Sequence, residues 1–492
     1  MVSKKKNIYN INALKIDKNI LKTITKYLNV KEKEKHLFGE VFTNIELIIE
    51  MLDKLPKNVW SNPKLTWLDP ANGIGNFPII IYYKLMEGLK NVKGLTNSRK
   101  RSKHIIEKML FMVELNYSNV KISKRIFNIL DSKSKPNIYN KNFLEWSSKI
   151  NKKFNIIIGN PPYNEGGTGR TTGSRQPLWP KFIDSSMSLL ESNGYLLFIT
   201  PKGWRKPYNL EKSKNIGRIL LNFINEGSMY YINLTDRIIS NFPPIDYYIY
   251  TKQKKINTII DSSFNTINSN GYSINLNNFV NSSKTNFLPS IMNKDIVSIL
   301  SKLFKKYNKN NNYSLKYDGT LDANKKMLTN SKVGIPFAFY HKAGKYIEVY
   351  NKDINSRVKD YYKKPKIVCT FNGSNPIGYL YPVFYKKPIA TTTFTMYQLL
   401  DDISEKNVSK HINFLSSKLI LAILKLTQYS PPPRNKNDHK IINLIQIPNL
   451  SNNPSNKDIY SYYNITQSEE ILIEKICKEF SLKKTKKVKN FK

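Results

Sequence analysis

The sequence predicts an α/β protein: a mostly parallel sheet covered by helices on both faces, followed by a second, α+β region. Three observations lead there. Short, continuously apolar runs such as FNIII and GYLLFITP alternate with helical patterns between residues 43 and 251, as strands buried on both faces do. A strand-like segment at 65–68 runs into the glycine turn Asp69-Pro70-Ala71-Asn72-Gly73-Ile74-Gly75-Asn76-Phe77 and then into a helical run. The chain has 492 residues, more than one hydrophobic core usually organises, so two domains of roughly 200 to 250 residues are expected.

Residues 1–35 are polar and Lys-rich and read as a short helical or partly disordered basic extension. Ile45, Ile48, Ile49 and Leu52 then recur at helical spacing, with Thr43 or Asn44 as N-cap and Pro56 as the stop. After the glycine turn a helix runs to Leu89, and a basic insertion, NVKGLTNSRKRSKHIIEK, leads into a second strand, MLFMVEL, that closes at Glu114. A short third strand precedes Asn142-Phe143, and a fourth, FNIII, runs directly into Gly159-Asn160-Pro161-Pro162-Tyr163. A helix over 178–190, the strand GYLLFITP and strands at 229–234 and 246–251 complete the first domain, drawn at 36–255.

Beyond it the texture becomes Asn/Ser-rich, with short strand candidates VGIPFAFY, KIVCTF and GYLYPVFY and a helix near 418–426. This second domain is drawn at 256–480, and residues 481–492 read as a disordered basic tail. Strand ends on the carboxyl side of such a sheet are where ligands bind. Asp69, Glu114, Asn142 and Asn160 all fall there.

Composition narrows the classes. No run of about 18 apolar residues occurs, and the basic opening is not followed by an apolar segment, so no membrane partner and an intracellular, cytoplasmic protein are expected. Cys369 and Cys477 form neither a metal cluster nor a disulfide framework, which leaves no metal site to expect. The formal net charge of +43 suits a polyanionic partner. Only ten of the 79 basic residues are Arg, however, and the chain is crowded with Lys, Asn, Ile and Tyr. The charge is therefore as much a matter of composition as of partner.

The chemistry is concentrated in three places. Gly73 and Gly75 allow a tight turn and close backbone approach to a ligand, and Asp69 offers a carboxylate for a cationic group. Glu114, at the end of the next strand, can accept hydrogen bonds from both hydroxyls of a ribose. The third place is Asn160-Pro161-Pro162-Tyr163. Two prolines cannot extend a central strand, so they set a rigid extended turn at the carboxyl edge. That rigidity aims the Asn160 side-chain oxygen and the Pro161 carbonyl at one spot. An amino group there would donate both hydrogens and turn its lone pair toward an electrophile, with Tyr163 as a stacking face.

The order of these motifs resembles the gamma class of N6-adenine DNA methyltransferases, found in type II restriction-modification systems and in large DNA viruses. The resemblance covers residues 36–255 and thins beyond. It implies a Rossmann-like S-adenosylmethionine-dependent methyltransferase fold with a C-terminal α+β target recognition domain, S-adenosyl-L-methionine as cofactor and double-stranded DNA as partner. Thr43 then corresponds to the segment contacting the methionine part of the cofactor, although Asn44 replaces the usual Pro. Asp69, Pro70, Gly73, Gly75 and Phe77 match the cofactor loop, and Glu114 matches the ribose-binding acid. Asn142-Phe143 stands where the family has Asp-Phe, the acid accepting from the cofactor's adenine amino group. Asn160, Pro161, Pro162 and Tyr163 match the catalytic loop. Phe242 resembles the residue packing on the second face of an extruded adenine. Arg170 and Arg175, in the Gly/Thr-rich segment after the catalytic loop, suit contacts to a DNA backbone.

The glutamine methyltransferases that modify release factors also resemble this core, including Asn-Pro-Pro-Tyr, because both reactions transfer methyl to a planar amino group. They end soon after the core, whereas some 240 residues follow here. RNA adenine is a further alternative substrate, and a decayed binding protein an alternative class. The resemblance implies a monomer. Since only about 35 residues precede the core, a cognate restriction endonuclease would be a separate chain.

Overall fold

In the computed structural model, the described residues are 43–164, 176–206, 216–237, 245–305 (without 255, 265 and 284–286), short strands between 313 and 399, 404–427, most of 441–480, and 486–487. Three elements open the domain. Helix α1 (Ile45–Leu52) precedes β1 (Trp67–Asp69), and α2 (Asn76–Gly88) comes after the glycine turn. Asn44 is the cap of α1: its side chain accepts from the Leu47 amide at 2.8 Å. The basic insertion is not a plain lead-in to the next strand. It folds as α3 (Ser98–His104) and a single π-helical turn, Ile105–Met109. Arg101 holds it down by donating to the carbonyls of Leu95 and Thr96.

Next in the chain are β2 (Leu110–Glu114), α4 (Tyr117–Leu130), β3 (Asn137–Asn140), α5 (Phe143–Ser147) and β4 (Phe154–Gly159). Helix α6 (Trp179–Leu189), β5 (Leu190–Pro201), α7 (Ile219–Glu226), β6 (Ser228–Arg237) and β7 (Ile245–Thr251) complete the expected set. Strands β3, β2, β1, β4 and β5 lie side by side and parallel, and β7 then joins antiparallel. The chain moves outward from β1 to β3 and returns to place β4 against the other side of β1. That reversal opens a crevice at the carboxyl ends of β1 and β4.

The boundary expected at residue 255 does not coincide with the edge of the sheet. Strands β8 (Thr258–Phe264) and β9 (Ile267–Ile274) extend it to nine strands. A turn composition rich in Asn and Ser misleads here, because an edge strand facing water on one side needs apolar residues only at alternate positions. Asp261 on β8 also accepts from Lys54, in the turn just after α1, at 2.8 Å and from the Tyr231 hydroxyl on β6 at 2.5 Å. Tyr247 on β7 donates to Glu50 of α1 at 2.8 Å.

Helices α8 (Leu276–Ser283) and α9 (Lys294–Lys305) come next. The expected strands are present as Ile335–Tyr340, Lys366–Thr370 and Tyr379–Val383, in small sheets of four and five strands. Helices α10 (Val408–Leu415), α11 (Lys418–Leu426), α12 (Asn456–Tyr462) and α13 (Gln467–Glu479) close the chain's helical part. The tail is not wholly unstructured, since Lys486–Lys487 pairs in parallel with Tyr379 and Leu380. The N-terminal extension 1–35 lies outside the described residues.

One buried ion pair ties the sheet to the segment between α8 and α9. Arg205 and Asp246 are both fully buried, and Arg205 Nε and Nη2 donate to Asp246 at 2.6 and 3.2 Å. Nη1 of Arg205 donates to the carbonyls of Leu288 and Pro289, while the Arg205 carbonyl accepts from Leu288 N at 2.9 Å. Ser290 N in turn donates to the Leu426 carbonyl at the end of α11 at 2.7 Å. Removing one partner strands a buried charge, which costs about 3–5 kcal/mol. Asp246→Ala is therefore expected to lower the free energy of unfolding by that amount in urea titrations, and a loss below about 1 kcal/mol would contradict this role.

Candidate active site

A cavity of about 380 Å³ lies at the reversal between β1 and β4, within the range of pockets that take nucleoside-sized ligands. Its wall combines the glycine turn, the end of β2, the start of α5 and the Asn160 loop. Of the expected residues, Thr43, Pro70, Gly73, Phe77, Glu114, Asn142, Phe143, Asn160, Pro161 and Pro162 all line it.

The glycine turn shapes the floor. Gly73 has φ +55 and a Cβ there would meet nothing within 4 Å. Gly75 is the N-cap of α2 with φ +103, where a side chain is strained. Asn72 N donates to the Val113 carbonyl at 3.0 Å, pinning the turn to β2. Phe77, in the first turn of α2, is buried and forms part of the wall.

Glu114 is held by amides. Its Oε2 accepts from Gly73 N and its Oε1 from Asn116 N, both at 2.7 Å. Asn140 Nδ2 donates to the carbonyls of Glu114 and Leu115 at 3.0 and 2.9 Å, which sets the backbone that presents the acid. Asn119 Nδ2 also donates to Oε1, at 3.5 Å.

Asp69 lies beneath the turn, 2% exposed and outside the cavity lining. Its Oδ1 accepts from Ala71 N at 3.0 Å. Burial pushes its carboxyl up to about 8; the Ala71 bond opposes this and the charge of Glu114 adds to it. Gly159, the last residue of β4, lies against it: a Cβ there would be 2.9 Å from Asp69 Oδ1.

The Asn160 loop meets the glycine turn through Thr43. Asn160 Nδ2 donates to Thr43 Oγ1 at 3.1 Å, and Asn76 Nδ2 donates to the Thr43 carbonyl at 3.2 Å. After the loop, Leu178 N donates to the Tyr163 carbonyl at 3.0 Å, and Asn164 bridges to Pro177.

Two of the expected residues have structural surroundings that the sequence did not predict. In place of an open stacking face, the Tyr163 ring is 3% exposed, belongs to the core and does not line the cavity. Burial raises its hydroxyl above the usual tyrosine range, against a hydrogen bond to the Asn160 side chain. Asn142 caps α5, its Oδ1 accepting from Leu144 N at 3.0 Å and its Nδ2 donating to Glu145 at 3.3 Å. An N-cap at that position is available to Asn and Asp alike. Phe143 packs on Phe182 at 5.1 Å between ring centres. Phe242, Arg170 and Arg175 lie outside the described residues.

Sequence reasoning passes over Asn72, Asn76 and Lys141, all of which line the cavity. The signal for the first two is an amide beside each glycine of an otherwise apolar turn. Nothing in the pattern marks Lys141.

Residues 5–233 match the family model described as Eco57I restriction-modification methylase. The family resemblance read from the sequence holds. An uncharacterized adenine-specific methylase of Mycoplasma pneumoniae (strain ATCC 29342 / M129 / Subtype 1) is 29% identical over 141 residues, 28% of this chain and 32% of that protein. The type II methyltransferase M.VspI of Vibrio sp. (strain 343) is 26% identical over 180 residues, 35% of this chain and 39% of that protein. The matches thus span 32% and 39% of these relatives' own lengths. A structure of the type IIL restriction-modification enzyme MmeI in complex with DNA superposes with a TM-score of 0.50 at 12% identity, covering 91% of this chain and 80% of that chain. At that identity the likeness concerns the fold. The sheet is Rossmann-like, as the sequence predicts.

Asp69 makes the stability of the ligand-free protein depend on pH. A carboxyl raised from 3.8 to about 8 keeps its proton in the fold and releases it in the unfolded chain. Stability is then full at low pH and falls as pH rises through that window, by at most about 1.4 kcal/mol per pH unit. Urea unfolding between about pH 4.5 and 8 is expected to show this decline in the wild type and a flatter profile in Asp69→Asn. Equal slopes would show that Asp69 is ionised throughout.

Proposed function

We propose that this protein is a DNA methyltransferase that moves a methyl group from S-adenosyl-L-methionine to N6 of an adenine in double-stranded DNA. The observation that carries the reading is the single cavity in which the glycine turn, Glu114 and the Asn160-Pro161 loop meet. The site fits the cofactor. Its floor has open space over Gly73 and an acid at the end of β2, and its wall has the rings of Phe77, Phe143 and Phe182. A ligand that joins hydroxyl donors to a planar apolar part suits such a wall. When bound, the cofactor supplies an electrophilic methyl group on a sulfonium.

The chain's own residues do the rest by positioning. Thr43, Gly73, Phe77, Glu114, Asn142 and Phe143 hold the cofactor, with Asp69, Pro70 and Gly75 shaping the turn beneath it. Asn160 Oδ1 and the Pro161 carbonyl accept the two hydrogens of the adenine amino group and so direct its lone pair. Holding the reacting atoms in one geometry, with acceptors already in place, is the source of rate. Pro161 is buried, so a base stacked in a duplex cannot reach the loop and must rotate out of the helix. Tyr163 serves as the stacking face only after its ring turns out of the core, with Phe242 on the other face of the base. Arg170 and Arg175 contact the DNA backbone.

In this reading the region after residue 255 recognises the target sequence, and the net charge of +43 supplies affinity that falls with salt. The protein acts as a monomer in the cytoplasm. No helix among the described residues is long and apolar enough to cross a membrane.

The test is to offer tritiated cofactor with AT-rich duplex DNA, structured RNA and a glutamine-containing peptide in separate reactions. Label is expected in DNA as N6-methyladenine, and Asn160→Ala should slow transfer by about 10²- to 10³-fold, as loss of one positioned polar group does elsewhere. Label in RNA or peptide but not DNA would reassign the substrate. An Asn160→Ala protein as fast as wild type would remove this loop from the chemistry.

A further inference from the structure

Among the described residues that line the cavity, Lys141 is the one cation and Glu114 the one acid. The two are neighbours at the carboxyl end of the sheet. Glu114 pairs with Asn140 across β2 and β3, and Lys141 N donates to the Glu114 carbonyl at 3.2 Å. The Lys141 side chain is exposed and has no hydrogen bond or ion pair with any described residue. Its three N–H donors and its charge are open to a ligand.

Asn142, beside it, is partly committed to its own helix. Its Oδ1 accepts from Leu144 N and its Nδ2 donates to Glu145, in the first turn of α5. One lone pair and one N–H remain, so this amide suits a donor and an acceptor equally. Glu114 already accepts from Gly73 N, Asn116 N and Asn119 Nδ2. The side of the cavity at the end of β3 is therefore biased toward donors.

Strand order decides which part of the ligand meets that side. The strands run β3, β2, β1, β4 across the sheet. With the ribose on Glu114 of β2 and the reacting methyl group at the Asn160 loop after β4, the purine falls beyond the ribose, at the end of β3. An ammonium there meets acceptors: a ring nitrogen of adenine, or an oxo group standing in place of the 6-amino group. It gains nothing from the amino group itself, which offers only hydrogens.

We infer that Lys141 determines the base specificity of the cofactor site by donating to acceptors on the purine edge, and that the site takes a 6-oxopurine nucleoside as well as a 6-aminopurine one. This inference rests on the methyltransferase reading, which sets the direction of the ligand. A site that held the 6-amino group on a carboxylate would behave in the opposite way, because an oxo group brings its lone pairs against an anion.

The test is calorimetry on the full chain with two stable ligands, S-adenosylhomocysteine and S-inosylhomocysteine. Wild type is expected to bind them within about tenfold of each other, less than the loss of a hydrogen bond to a charged group costs. Lys141→Met keeps the length of the side chain and removes its donors. It should shift the ratio against the inosine ligand by about threefold to tenfold, since the oxo oxygen is the stronger acceptor. Asn142→Asp keeps the cap of α5 and adds a carboxylate on the same side, so it should shift the ratio the same way. The readout is a ratio within one protein, so a general loosening of the site cancels, and wild type alone is decisive if a variant does not fold. Discrimination against the inosine ligand above about tenfold in wild type, or an unchanged ratio in either folded variant, would overturn the inference and leave the cofactor assignment standing. Failure of wild type to bind either ligand would overturn the assignment, and the inference with it.

Discussion

The close approach of β4 to the end of β1 is the constraint on which the site depends. Gly159 sits so near Asp69 that a Cβ would come within 2.9 Å of its carboxyl oxygen and 3.5 Å of the Pro70 ring. Absence of a side chain at that position lets the two strand ends converge. The glycine turn after Asp69 and the proline turn after Gly159 are thereby forced to face each other across one cavity. Neither loop could form the cavity alone, because its wall takes residues from both.

Thr43 closes the arrangement. It belongs to neither loop, yet its carbonyl and hydroxyl take one bond from each. Helix α1 carries it into place, and α1 is in turn fastened by Lys54 to Asp261 and by Glu50 to Tyr247. The anchoring residues lie on β7 and β8, far along the sheet from the cavity. The position of a cavity-lining residue therefore depends on strands that lie about 200 residues later in the chain, the separation of Lys54 from Asp261 being 207. For that reason β8 and β9 belong physically with the sheet even though their composition resembles the region beyond them.

Burial of polar groups is handled differently at the ion pair and at the glycine turn. Arg205 and Asp246 are fully buried, but the guanidinium finds a carboxylate and two backbone carbonyls. Asp69, Asn72 and Asn76 are also buried and keep an oxygen apiece without a partner among the described residues.

Much of this is legible in the sequence. The strands of the first domain, the glycine turn, Glu114 and the Asn160 loop come from apolar period, chain breakers and motif order, which are properties of neighbouring residues. The cap of α1 narrows to Thr43 or Asn44, and only the 2.8 Å bond to Leu47 decides for Asn44. Tertiary structure alone decided the rest. It extended the sheet past 255, bonded the Asn76 amide to the Thr43 carbonyl, and put the Tyr163 ring in the core. These depend on partners distant in sequence, such as Thr43 for Asn76 and Asp261 for Lys54. Local pattern can show which side chains are able to bond; which bonds form is settled by what the folded chain brings alongside.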